Sequence, residues 1–138
     1  MSPAIMHRSE EDVYQEHVLE HYEDPYHRGS CANCTHKWED RNPLCGDKVL
    51  LQLNVDSEGK IVEAWFDGDG CCISQASASM LVEAIEGQTL EAARQLSAQD
   101  MLNLFGPKLT PNRQKCCLLA WRAFQQAVHA PVSPDESC

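Results

Sequence analysis

The chain has 138 residues, which suits one compact domain with a modest core, and carries 11 Lys and Arg against 21 Asp and Glu, a formal net charge of −10. That balance argues against nucleic-acid and anionic-membrane binders, both of which need a basic surface, and favours an acidic face that meets a basic protein partner. No apolar run approaches the roughly 20 residues of a membrane span, and the start MSPAIMHRSEEDVYQEH lacks a secretory pattern, so a cytoplasmic location is expected.

Residues 9–22, SEEDVYQEHVLEHY, open with Ser9 as a helix cap and acids in the first turn, and Val13, Tyr14, Val18, Leu19 and Tyr22 form a helical stripe. EDPYHRGSCANC breaks regularity at Pro25 and Gly29. Residues 48–56 alternate as a strand with Val49, Leu51, Leu53 and Val55 on one face; SEG at 57–59 turns the chain, and KIVEAWF returns as a second strand. After the glycine-flexed DGDG, a helix from about residue 73 carries the stripe Ile73, Ala76, Met80, Leu81, Ala84 and Ile85. Short helices follow at 89–96 and 98–104, capped by Thr89 and Ser97. Thr110 and Pro111 start a last helix that runs to about His129. The expected fold is α+β, a small three-stranded antiparallel sheet flanked by about five helices, though alternation locates only two of the strands. One domain is expected over residues 1–138, with its core at about 9–129 and a loose tail at 130–138.

Eight cysteines in a cytoplasmic chain point to metal binding or thiol chemistry, because disulfides do not persist in a reducing compartment. Four of them form two doublets, Cys71–Cys72 and Cys116–Cys117. Cys117 shares a helical stripe with Trp121, Phe124 and Val128 and reads as core. Cys116 is rotated about 100° from it, on the side of Arg113, Ala120, Ala123 and Ala127, where it can point into a site. Cys72, four residues before Ala76 and eight before Met80, can join the buried stripe, whereas Cys71 stands near a helix N-terminus, a setting that favours thiolate. NPLCGD at 42–47 is a turn that presents Cys45 and Asp47 together. Cys45, Asp47, Cys71 and Cys116 would make four ligands, suited to tetrahedral zinc or iron, with the carboxylate as the exchangeable corner.

The segments EHYEDPYHRG (20–29), NPLCGD (42–47), FDGDGCCISQASASM (66–80) and LTPNRQKCCLLAW (109–121) resemble, in order, the NifU-like family of iron–sulfur cluster assembly proteins, which has IscU-type and SufU-type members. The resemblance spans about residues 13–128 and selects Cys71 over Cys72 and Cys116 over Cys117. It implies a small sheet with helices around it and an exposed site at one end. It also implies a cysteine desulfurase (SufS- or IscS-like) as persulfide donor, and recipient apo-iron–sulfur proteins or carriers as acceptors. Cys45 and Cys116 are then the candidate persulfide acceptors, and Zn²⁺, iron or a [2Fe–2S] cluster the cargo at one shared site of Cys45, Asp47, Cys71 and Cys116. Lys115 stands where IscU-type members have His, as in SufU-type members, yet the 45-residue step from Cys71 to Cys116 is too short for the insertion of SufU-type chains. Two alternatives stay open: a zinc-dependent sulfurtransferase that builds no cluster, and a structural zinc-binding interaction module.

Outside those motifs, CANCTH at 31–36 has the spacing of a partial zinc site in Cys31, Cys34 and His36, with His27 or Cys138 as further ligands, but reads more simply as a surface loop with two free thiols. His17 and His21, at i and i+4, could bind metal on one helix face but read more simply as exposed, with Tyr22 packing inward. Cys138 reads as incidental. Trp38, Trp65 and Trp121 read as core or partly buried.

Overall fold

The structure, a computed structural model, describes residues 10–43, 46–106 and 108–131, with side chains from residue 15 onward. The order of elements is α1 (Glu10–Glu23), β1 (His36–Arg41), β2 (Lys48–Val55), β3 (Ile61–Asp69), α2 (Cys72–Ile85), α3 (Leu90–Ala93), α4 (Ala98–Phe105) and α5 (Pro111–Ala127). The three strands make an antiparallel meander in the order β1-β2-β3. The expected cap at Ser9, and the side chains of Val13 and Tyr14, lie outside the described residues.

The β2–β3 hairpin forms where alternation places it. Val49, Leu51 and Leu53 from β2 and Ile61, Ala64 and Phe66 from β3 are at most 1% exposed and face the helices. Asp56 Oδ1 closes the turn by accepting from the Glu58 and Lys60 amides, each at 2.9 Å, and Gly59 takes φ 84°. The opposite face of β2 is covered as well. Gln52 is 3% exposed, its Oε1 accepting from the Cys31 amide (3.1 Å) and its Nε2 donating to Gly29 O (2.8 Å). The segment 29–34 is thus folded over the sheet. Cys31 and Cys34 are 1% and 9% exposed, and Cys34 is disulfide-bonded, so the expectation of a surface loop with two free thiols does not hold. Strand β1, HKWEDR, escapes alternation because polar residues occupy both its faces; it pairs with β2 from His36↔Leu53 to Arg41↔Lys48. Trp38 on this strand is 42% exposed, whereas Trp65 and Trp121 are half-buried.

Helix α2 is buried without interruption from Ser74 to Val82, rather than along one stripe. Its small residues let neighbours close in on every side, and its hydroxyls are satisfied locally: Ser74 Oγ donates to Cys71 O (3.0 Å) and Ser77 Oγ to Ser74 O (3.1 Å). Ser79 Oγ accepts from the Tyr26 amide (2.7 Å) and pairs with His21 Nδ1 (2.7 Å). This last contact corrects the reading of α1. The His21 side chain is only 11% exposed, while Tyr22 is 45% exposed. A hydroxyl on α2 draws the imidazole inward, and aromatic bulk alone does not decide the face. Desolvation, then the neighbouring His17, lowers the His21 pKa; Glu83 and Glu20 oppose this.

The remaining helices start where their caps predict. Thr89 accepts from Ala92 N, Ser97 and Asp100 form a reciprocal capping box, and Thr110 accepts from Arg113 N with Pro111 behind it. Only the length of the first is short of expectation, four residues at Leu90–Ala93 in place of 89–96. Among the described residues, no helix is long and apolar enough to cross a membrane.

Candidate metal centre

Three segments reach the same end of the molecule, and the hairpin register explains two of them. Lys48 pairs with Asp69, so the residues one step further out, Asp47 and Gly70, stand opposite each other, and Cys71 follows. That approach needs a glycine at 70: a Cβ there would fall 2.9 Å from Asp47 Cγ and 2.4 Å from Ser74 Oγ. Gly68 is required by both criteria, with φ 144° and a Cβ that would fall 2.1 Å from Lys48 O. Asp47 is set by its own turn, in which Asn42 N donates to Asp47 O and Gly46 N to Asn42 O, both at 2.8 Å.

Cys71 is the N-cap of α2, in extended conformation, and is exposed. Cys116 comes from the second turn of α5. It heads a row of small residues, Ala120, Ala123 and Ala127, each 0% exposed, that lets the helix lie close to its neighbours. Asn42 Nδ2 lies 3.9 Å from Cys116 Sγ, a weak donor contact to sulfur. One carboxylate oxygen of Asp47 and the sulfurs of Cys71 and Cys116 all lie within 4.8 Å of one another. Asp47 is 5% exposed and Cys116 9%. Cys45 lies outside the described residues.

The second member of each doublet has a different environment. Cys117 is 0% exposed in a cluster with Val18, Ala76, Met80 and Phe105, and burial pushes its thiol up to about 12. Cys72 does not join the buried stripe. It is the first residue of α2, where no preceding turn covers it, and it is exposed. Partial desolvation of its sulfur raises its pKa, with a further contribution from Cys71, while Arg113 lowers it. Sequence reasoning also passed over Asn42, Gly70 and Gln75; Asn42 opens the NPLCGD turn and was visible there only as a turn residue.

The donor set fits a thiophilic divalent ion. Bonds of about 2.3 Å to sulfur at tetrahedral angles would place two ligand atoms about 3.8 Å apart, a small contraction from the observed spread. Three groups that can each carry a negative charge, two of them largely buried, repel one another unless protons or a cation balance them. Two soft thiolates and one hard carboxylate suit zinc or iron better than calcium or magnesium.

A model of the NifU-like N terminal domain matches residues 13–132. The chain is 35% identical over 134 residues to the zinc-dependent sulfurtransferase SufU of Bacillus subtilis (strain 168), covering 84% of this chain and 89% of that protein. It is 32% identical over 132 residues to the iron–sulfur cluster assembly scaffold protein IscU of Thermotoga maritima, covering 84% of this chain and 92% of the other. Among solved structures, the SUF-system protein FiSufU of Fervidobacterium islandicum AW-1 superposes with a TM-score of 0.70 at 28% identity, over 87% of this chain and 99% of that one.

Proposed function

We propose, from the premise that this chain belongs to the NifU-like N-terminal domain family, that it serves iron–sulfur cluster assembly by accepting persulfide sulfur and holding a metal or nascent cluster. The observation that carries this reading is the convergence of Asp47, Cys71 and Cys116 within 4.8 Å from three separate segments. Cys45 is assigned as the fourth ligand, two residues before Asp47 in the same turn. A [2Fe–2S] cluster held by these four would be cargo, and an ion such as Zn²⁺ would supply charge balance and Lewis acidity. The protein's own contribution is positional. The hairpin register fixes Asp47 against Gly70, the N-cap presents Cys71 to solvent, and α5 holds Cys116 beneath them.

Cys45 and Cys116 are the assigned sulfur acceptors, a cysteine desulfurase the donor, and apo-iron–sulfur proteins or carriers the recipients; the location is cytoplasmic. Residues 1–138 are assigned to one domain; of the expected loose tail, Ala130 and Pro131 attach to β1, with Lys37 N donating to Ala130 O (3.4 Å) and Pro131 bridging His36, and residues 132–138 lie outside the described residues. A second reading, a sulfurtransferase organised by zinc that builds no cluster, draws support from Lys115. That residue is exposed and places no imidazole before Cys116, where IscU-type relatives carry His.

Metal analysis of protein purified without chelators, followed by reconstitution with iron, cysteine and a desulfurase, separates the two. Stable visible absorption identifies the scaffold, and faster desulfurase turnover without absorption identifies the transferase. Asp47→Ala is expected to make bound metal harder to extract with a chelator, because the exchangeable oxygen corner is gone. Protein that takes up neither metal nor sulfur would end the proposal.

A further inference from the structure

Both outer strands of the sheet are flanked by other pieces of the chain, which satisfies backbone groups that an open edge would leave unpaired. Residues 27–29 run parallel to β3, with Phe66 N donating to His27 O (3.1 Å) and Gly29 N to Phe66 O (2.8 Å). At the start of β1 the C-terminal segment takes this part. Lys37 N donates to Ala130 O, and Pro131 bridges His36 in the antiparallel sense. With Ala130 against Lys37 and Pro131 against His36, the chain is heading past His36 toward Cys34.

Cys34 is 9% exposed and disulfide-bonded. The sequence holds eight cysteines, and Cys31, Cys71, Cys72, Cys116 and Cys117 form no disulfide, so the partner is Cys45 or Cys138. Cys45 belongs to the other end of the sheet. Gly46 N donates to Asn42 O (2.8 Å), which keeps that turn beside Arg41 and Lys48, whereas Cys34 precedes His36, the partner of Leu53. The strand from Lys48 to Leu53 spans roughly 17 Å at about 3.3 Å per residue, and a disulfide needs Cα atoms within about 7 Å. Cys138 meets no such obstacle. It follows Pro131 by seven residues, a reach of up to about 23 Å, and Cys34 stands two residues before Pro131's own partner His36.

We propose that Cys34 and Cys138 form a reversible disulfide clasp that locks the C-terminal segment against the start of β1. The cytoplasmic location proposed above bears only on the character of the bond: disulfides in a reducing compartment are transient and answer to oxidants. Closure removes two electrons from the pair, and a small-molecule disulfide such as glutathione disulfide accepts them. One thiolate of the pair attacks that disulfide, forms a mixed disulfide and expels one glutathione thiolate. The second thiolate attacks the protein sulfur of the mixed bond and expels the other. The pair gives up two electrons and two protons, which leave as two glutathione thiols. Excess glutathione reverses both steps and frees the backbone edge at His36 and Lys37.

The test uses the full-length, zinc-loaded protein equilibrated at a series of glutathione to glutathione disulfide ratios, then alkylated and mapped without reduction. The expected product is a Cys34–Cys138 cross-linked peptide that forms at high disulfide and disappears in glutathione alone. Its formation should raise the thermal midpoint by roughly 5–10 °C, because it closes a long loop, and should slow amide exchange at Lys37. Cys138→Ser should remove both effects at unchanged zinc content. Cys34 joined to Cys45 or to glutathione, or left as a thiol at every ratio, overturns the pairing. A Cys34–Cys138 bond that persists in glutathione alone overturns the reversible clasp.

Discussion

Cys116 and Cys117 are neighbours on α5, yet one sulfur faces a carboxylate and a second thiol while the other faces Met80 and Phe105. Cys116→Ser should therefore abolish tight zinc binding, whereas Cys117→Ser should keep the zinc and lose stability. A hydroxyl placed in that apolar cluster without a partner costs about 1–3 kcal/mol, readable from urea unfolding. With its thiol near 12, Cys117 should resist alkylation in the native state at pH 8 and react once unfolded. Equal loss of zinc from both variants would reverse the assignment. The helical-face argument separates this pair from sequence alone, because α5 has a long enough stripe to define its sides. The same argument misplaces Cys72, since the first turn of a helix has no turn before it to pack beneath. Gly70 shows a different limit. Its spacing reads as chain flexibility, but its role is to leave room for Asp47, a contact that only the strand register discloses.

Between α1 and α2 the decisive group is His21, seated on Ser79 Oγ. Its pKa is lowered in the folded state by burial and by His17, against a reference near 6.5 in the unfolded chain. Between those values the unfolded chain binds more protons, so stability falls with falling pH there; the stabilisation is complete above about 6.5 and is lost as pH drops through the folded value. Protection factors of the α1 amides, taken relative to the intrinsic exchange rate at each pH, should fall on going from pH 7.5 to pH 5.5, and His21→Asn should flatten that dependence. A wild-type profile without slope over this range would remove His21 as the cause. His36, whose pKa burial also lowers, acts with the same sign on the edge strand β1, which is why a readout local to α1 is needed. At this scale the sequence is most readable where signals are local. The SEG turn and the caps at Thr89, Ser97 and Thr110 are each written in a few adjacent residues. Strand β1 and the inward turn of His21 are not, because both depend on partners outside their own segment, Leu53 to Lys48 on the next strand for the one and Ser79, 58 residues on, for the other.

Across the whole molecule, Asp47, Cys71 and Cys116 join the starts of β2 and α2 to the second turn of α5, so an ion held there would tie the sheet to α2 and α5. A ligand that binds only the folded state at 100 times its dissociation constant adds about 2.7 kcal/mol. For a chain of this size that is a shift of roughly 5–10 °C, so chelation should lower the thermal midpoint by that amount and zinc should restore it. No shift on chelation of metal-loaded protein would mean that the ion does not cross-link these segments.

Helix α2 is enclosed on every side from Ser74 to Val82, and this determines how ions of different radius can be gripped. Sliding Cys71 toward or away from a guest would drag the entire interior with it. Asp47 is held as firmly from the other side: it is 5% exposed, Asn42 N donates to its carbonyl, and its side chain packs against Gly70. Two unyielding jaws face each other, so selection falls on whichever guest fits the gap as it stands.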